Sequence, residues 1–187
     1  KFNLFNHRKI IRRVYSFCDC ADIVIGGVGH IDNLPRWDVL PVQNYPVDID
    51  RIDKLKTNIL KEKKFTIVHC PNHRYVKGTF LVKNAVDELI KEGHDINLKI
   101  IEKTKNAELI KIMHSSHLLI GQVLSGGYAL TEMEGMACSL PVITYLNKTS
   151  NEVFEIFSYL KECPIVNIER TTESIKDKIL YVQKNYE

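Results

Sequence analysis

The 187-residue sequence predicts an α/β fold, a parallel sheet with helices on both faces. Three observations carry that expectation. Short apolar runs rich in Ile and Val recur along the chain, helical patterns of several turns separate them, and the runs are apolar throughout instead of alternating with polar residues. Strands that alternate with helices form parallel sheets. A strand buried on both faces loses the inside–outside alternation.

The elements follow in order. Strands are expected near Asp22–Gly27, Phe65–Cys70, Asn97–Ile101, Leu118–Gln122, Pro141–Tyr145 and Pro164–Asn167. Helices are expected over Asn3–Phe17, which is basic on one side, then Asp50–Lys61 and Lys77–Glu92. The last of these places Phe80, Leu81, Ala85 and Leu89 at helical spacing and stops at Gly93. Further helices are expected over Ala107–Met113, Tyr128–Ala137, Asn151–Leu160 and Glu173–Lys184. The segment from Gly29 to Asp48 holds Pro35, Pro41 and Pro46 without periodicity, and reads as a connector. Two parts are therefore expected: residues 1–45, the end of a preceding domain plus a linker, and residues 46–187, a complete βα series.

Composition excludes several classes. The chain is 44% hydrophobic and 26% charged, which is globular rather than disordered or fibrous. No apolar run approaches the ~20 residues of a membrane-spanning helix, and the first residues lack the apolar core of a signal peptide. A net charge of +3 does not call for nucleic acid. The five cysteines, Cys18, Cys20, Cys70, Cys138 and Cys163, fit no zinc or disulfide spacing and read as small apolar residues of a reducing compartment. The chain begins at Lys1 without a Met and is read as part of a longer protein.

Ligands of open parallel sheets sit beyond the carboxyl ends of the strands, so the loops there are the place to look for chemistry. Two stand out. After the Phe65–Cys70 run comes His69-Cys70-Pro71-Asn72-His73-Arg74-Tyr75-Val76-Lys77-Gly78, leading into a helix. Arg74 offers a planar fork of donors and Lys77 a compact charge, and the free amides of a helix start favour an anion such as a diphosphate. After the Leu118–Gln122 run comes Ser125-Gly126-Gly127 and a helix carrying Glu132 and Glu134. Paired glycines let backbone amides approach a ligand. Glu134 falls toward the loop, where a carboxylate can accept from a vicinal diol such as ribose. Glu132 is expected on a solvated helix face, and Met133 and Met136 in the core. Gly26-Gly27-Val28-Gly29 lacks the third glycine and the following helix of a dinucleotide fingerprint.

These loops, in this order, resemble the retaining glycosyltransferases of family 4, which have the GT-B architecture of two Rossmann-like domains. The string EGMACSLPVI, Glu134–Ile143, is similar to that family's E-A-M-A-x-G-x-P-V-I. HRYVKG with TFLVKNAVDEL resembles its K-G-x-x-x-L-x-x-A-x-x-x-L, and VDIDRI, Val47–Ile52, resembles the V-D-x-x-x-F that follows the interdomain linker. Leu118–Leu124 with Tyr128 is similar to a subgroup reading D-Q-x-x-x-G-x-Y-G.

The resemblance implies a Rossmann-like donor-binding domain, the C-terminal half of such an enzyme. Arg74 and Lys77 would bind the diphosphate of a UDP- or GDP-linked sugar and stabilise the leaving group. Glu134 would hold the ribose, Gly126, Gly127, Tyr128, Ala129 and Leu130 would lie against sugar and phosphates through backbone amides, and Glu102–Asn106 would sit near the base. No metal or other cofactor is implied. The acceptor, a glycan or a lipid-linked glycan of surface polysaccharide synthesis, would bind through an N-terminal domain of which residues 1–28 would be the end. The location implied is cytoplasmic, with peripheral contact at the inner membrane face through the basic string His7–Arg13. The sequence departs from the family's pattern in three places. Gly126 stands where the first Glu of an E-x7-E pair is expected, Asn72 where an Arg is expected, and Ser139 where a Gly is expected. Gly126 leaves open a non-catalytic nucleotide-sugar-binding module, and the shared architecture leaves open a sugar-nucleotide epimerase. The basic strings His7–Arg13 and Lys54–Lys64 leave a third, a binder of nucleic acid or anionic membrane.

Overall fold

The computed structural model describes residues 4–26, 34–36, 38–41, 46–56, 59–158 and 160–186. The chain divides into two compact units, Lys1–Asn44 and Tyr45–Glu187.

The first unit holds helix α1 (Leu4–Cys20) and two short parallel strands, β1 (Ile25–Gly26) and β2 (Leu40–Pro41). The strand β2 lies inside the segment expected to be a connector. Its single proline lies in a strand of a two-stranded sheet, an edge position where a missing amide is tolerated. Arg36 ties the unit together. Its guanidinium donates to the Cys18 and Ala21 carbonyls at 3.0 and 2.6 Å, satisfying acceptors at the end of α1, and it pairs with Asp38 through two bonds of 2.7 and 2.5 Å. Gly27–Gly29 and His30 lie outside the described residues.

The second unit is a Rossmann-like α/β layer structure. Helix α2 (Ile49–Leu55) is capped by Asp48, whose carboxylate accepts from the Arg51 amide at 2.9 Å. Then come β3 (Phe65–His69), a single turn α3 (Arg74–Lys77), α4 (Thr79–Lys91), β4 (Ile96–Ile100), α5 (Asn106–Ser115) and β5 (Leu118–Ile120). The series continues with α6 (Leu130–Ala137), β6 (Val142–Thr144), α7 (Lys148–Phe157), β7 (Val166–Asn167) and α8 (Thr172–Lys184). The strands pair parallel in the order β4-β3-β5-β6-β7. Observed boundaries fall within a few residues of those expected, with one exception and one interruption. The helix expected over Asp50–Lys61 ends at Leu55, and the one expected from Lys77 starts at Thr79, after the separate turn α3.

The apolar runs explain the layers. Ile67, Leu118, Ile120 and Ile143 point to one face and pack on Val82, Ala85, Val86 and Leu89 of α4 and on Ile175, Ile179 and Val182 of α8. Val68, Leu119 and Val142 are each adjacent in sequence to one of these, and they point to the other face against Ile52 of α2 and Ile110 and Met113 of α5. Cys18 and Cys138 are buried, Cys70 and Cys163 half-buried and Cys20 exposed, all as free thiols. Met133 and Met136 pack against the second cluster. Ser139, where the family pattern has glycine, takes φ = 59°, a left-handed turn that closes α6.

Leu119 is fully buried on the central strand β5. Leu119→Ala is expected to cost about 2–5 kcal/mol of unfolding free energy, measured by urea denaturation.

Candidate functional site at the switch point of the sheet

Strand order places the site. From β3 the chain crosses by α4, on one face, to β4 on its left; from β5 it crosses by α6, on the other face, to β6 on its right. The two connections leave in opposite directions, so a crevice opens between the carboxyl ends of β3 and β5. The two loops singled out in the sequence are the walls of that crevice.

The first wall starts at His69, which is 1% exposed. Its Nδ1 lies 2.9 Å from the Ile120 carbonyl, which can only accept, so Nδ1 carries the proton. Nε2, 2.9 Å from the Thr79 hydroxyl, then accepts from it. One neutral imidazole thus joins the ends of β3 and β5 to the first turn of α4. Burial pushes its pKa below the ordinary value, with Lys77 acting in the same direction. Burial also raises the Cys70 thiol to about 12, with the Glu132 and Glu134 carboxylates adding to the effect, so this cysteine is an unreactive thiol.

Arg74 and Lys77 diverge. Arg74 reaches across to the loop after β4 and forms a fork with Glu102, at 3.0 Å from Nε to Oε1 and 2.6 Å from Nη2 to Oε2. That hydrogen-bonded pairing raises the Arg74 pKa and lowers that of Glu102. Lys77 turns the other way, into the crevice, where its ammonium donates to Gln122 Oε1 at 3.2 Å. The pair expected to act together over the strand end is therefore split, with one cation paired to a carboxylate and the other held by a neutral amide.

The second wall is the loop from Gln122 to Ala129, and Glu132 organises it. Glu132, expected on a solvated helix face, is buried to 1% exposure. Its Oε1 accepts from the Gln122 amide at 3.1 Å and its Oε2 from the Ala129 amide at 2.9 Å, so one carboxylate clamps both ends of the loop. Gly121 makes room for it, since a Cβ there would lie 2.3 Å from Glu132 Oε1. The expected helix began at Tyr128, whereas α6 begins at Leu130 with Ala129 as N-cap. That places Glu132 at the third position, where a carboxylate folds back onto the N-cap amide. Ala129 hid the signal, because it lacks the hydroxyl of the usual capping pair.

Gly126 has φ = +66°, and a Cβ on it would lie 2.9 Å from Asn147 Cβ. The glycine that departs from the family pattern is thus required by this loop's own conformation. The other expected contacts divide. The Gly127 amide donates to the Tyr145 carbonyl at 2.8 Å, and the Ala129 amide is taken by Glu132, so these two amides are engaged within the protein. The Tyr128 ring is buried edge-on to Phe154, with ring centroids 6.5 Å apart, and serves the core. Leu130 is exposed. Glu134 accepts from Asn106 Nδ2 at 2.8 Å. Both residues line a cleft of about 400 Å³ between the starts of α2, α5 and α6, together with Val47, Asp48, Arg51 and Leu130. Asn106 closes the Glu102–Asn106 stretch that the resemblance places near the base, but the sequence gives no role to its side chain or to that of Gln122, because single amides carry no spacing signal. Among the described residues no group of three or more His, Cys, Asp or Glu is placed to hold a metal.

No protein-family model matches the chain, and no curated protein matches it. Solved structures do match. TarM of S. aureus, in a structure with fondaparinux, α-GlcNAc-glycerol and UDP, is similar over 96% of this chain and 39% of that one, with a TM-score of 0.63 at 13% identity. Sucrose-phosphate synthase from Thermosynechococcus elongatus is similar over 95% of this chain and 53% of its own, with a TM-score of 0.58 at 14% identity. WaaG, a glycosyltransferase involved in lipopolysaccharide biosynthesis, is similar over 78% of this chain and 47% of its own, at 0.50 and 13%. These matches establish the fold, a Rossmann-like α/β layer structure shared with glycosyltransferases of GT-B architecture. The chain spans less than two thirds of the length of each.

Two outcomes test the site's framework. Glu132→Ala leaves two part-buried amides without their acceptors and is expected to lower stability by about 3 kcal/mol in denaturant titration. The depressed pKa of His69 means that the unfolded chain gains a proton below about pH 6.5 while the folded chain does not. Stability is therefore expected to fall on acidification from about pH 6.5, with His69 contributing up to about 1.4 kcal/mol per pH unit. His117, whose pKa is also lowered, chiefly by burial and further by Lys61, adds the same sign. Equal denaturation midpoints at pH 7.5 and 5.5 would contradict this.

Proposed function

We propose that residues 46–187 are the donor-binding domain of a retaining glycosyltransferase resembling family 4, the C-terminal half of a GT-B enzyme that moves a sugar from a UDP- or GDP-linked donor to an acceptor. The observation that carries the reading is the switch-point crevice itself, with the Lys77 ammonium on one wall and Glu134 beside a nucleoside-sized cleft on the other. In this reading Lys77 binds the diphosphate and offsets the charge that develops on the leaving group, an electrostatic contribution that needs no metal. Arg74 joins it once a phosphate displaces Glu102. Glu134, oriented by Asn106, accepts from the ribose hydroxyls, and the exposed Leu130 lies beside the nucleoside. Gly126 and Gly127 keep the loop backbone close to the sugar, while Tyr128 and Ala129 support it from beneath.

The acceptor, a surface glycan or its lipid-linked precursor, would be bound by a preceding domain of which residues 1–28 form the end, with a linker running on to residue 45. A cytoplasmic site with peripheral membrane contact through His7–Arg13 belongs to the same proposal; among the described residues no helix is long and apolar enough to cross a membrane. Gly126 favours a second reading, a nucleotide-sugar-binding module without transfer, because a glutamate at that position cannot be accommodated beside Asn147.

Calorimetric titration with UDP, GDP and ADP tests the proposal. One nucleotide is expected to bind saturably, and Lys77→Ala and Glu134→Ala each to weaken it roughly ten- to hundredfold, the range of a lost charge-assisted hydrogen bond. Affinities unchanged in both variants would refute the site. Release of sugar from the bound donor separates the transferase from the module.

A further inference from the structure

We infer that Gln122 is a positioning residue that presents the charge of Lys77 to an anion, and that its neutrality is what makes the crevice a diphosphate site. The inference rests on the donor-site reading above. Each polar atom of Gln122 has a partner. Its amide donates to Glu132 at 3.1 Å. Its carbonyl accepts from the Thr144 hydroxyl at 2.6 Å and from the Tyr145 amide at 3.0 Å. Its side-chain Nε2 donates to the Gly127 carbonyl at 2.6 Å, leaving Oε1 to accept from Lys77, with the Ser125 hydroxyl as a second donor to the same oxygen. The residue is thus locked by β6, by α6 and by its own loop, and it faces the crevice with a single acceptor.

An amide oxygen orients an ammonium but cancels none of its charge. The neighbouring cation shows the contrast: Arg74 is bound at both ends of its fork by the Glu102 carboxylate. Of the two cations on this wall, the one inside the crevice keeps its net charge. The Lys77 carbonyl accepts from the Val123 amide at 3.2 Å, so the backbone that bears the ammonium is fixed to the same loop. A diphosphate entering the crevice meets a positive charge that is already positioned, so little side-chain freedom is lost on binding.

The experiment compares Gln122→Met with Gln122→Glu in the full chain, with inorganic pyrophosphate as the probe in calorimetry and melting temperature as the control. Both substitutions remove the bond to Gly127, so the difference between them isolates charge. Gln122→Met, which frees the ammonium, is expected to weaken binding about threefold, and Gln122→Glu, which neutralises it, more than tenfold. Gln122→Glu binding as tightly as Gln122→Met overturns the inference, because a merely structural role moves both alike. If either variant fails to fold, Ser125→Asp against Ser125→Asn asks the same question at an exposed position that touches the same oxygen, and equal affinities there overturn it. Lys77→Ala separates the two levels. If it abolishes pyrophosphate binding, the donor site stands and the Gln122 comparison alone decides. If it leaves binding unchanged, or the unmodified chain does not bind pyrophosphate, the donor-site reading falls and the inference with it.

Discussion

A parallel sheet must be buried on both faces, and most of this structure follows from that constraint. Parallel strands need crossovers, the crossovers are helices, and helices cover both faces. Ile67 and Val68 are adjacent in sequence and serve opposite cores. With both faces closed, the carboxyl edge is where the strands present their loops to solvent. The order β4-β3-β5-β6-β7 then makes β3 and β5 the pair whose loops part. The position of the crevice is a consequence of connectivity, whatever residues line it.

Holding the crevice open in one shape takes buried polar groups, and the protein uses two. Neutral His69 bonds β5 to α4, and the Glu132 carboxylate bonds both ends of the loop after β5. Each is nearly inaccessible to water and each has its bonds satisfied, which is what makes a buried polar group tolerable. An apolar residue at either place would leave backbone donors or acceptors orphaned. These groups are framework, and the hydrogen-bonded pairs Lys77–Gln122 and Asn106–Glu134 lie beside them.

The two cations of the first wall show that composition does not decide electrostatics. Arg74 and Lys77 lie within one helical turn, yet one is paired with a carboxylate and the other with an amide. The pairing of Arg74 is largely exposed and contributes little to stability. Its consequence is for binding, since an anion must compete with Glu102 for Arg74 but not for Lys77.

By itself the sequence determined the layers, the strands of the second unit to within a few residues, and which loops follow the two strands at the switch point. Those properties are written locally, in runs of Ile and Val, in glycines before helices, and in the spacing of charged residues after strands. Tertiary structure alone decided the rest. Glu132 reads as a surface residue until α6 is seen to start at Leu130, because only from the third helical position does its carboxylate fold back onto the N-cap amide. Gln122 and Asn106 read as ordinary amides until the packing of β5 against β6 and of α5 beside α6 brings partners to them. Gly126 reads as a lost glutamate until Asn147, distant in sequence, is found to occupy the space its side chain would need. Direction and partnership depend on residues far along the chain, and that information is absent from any local window.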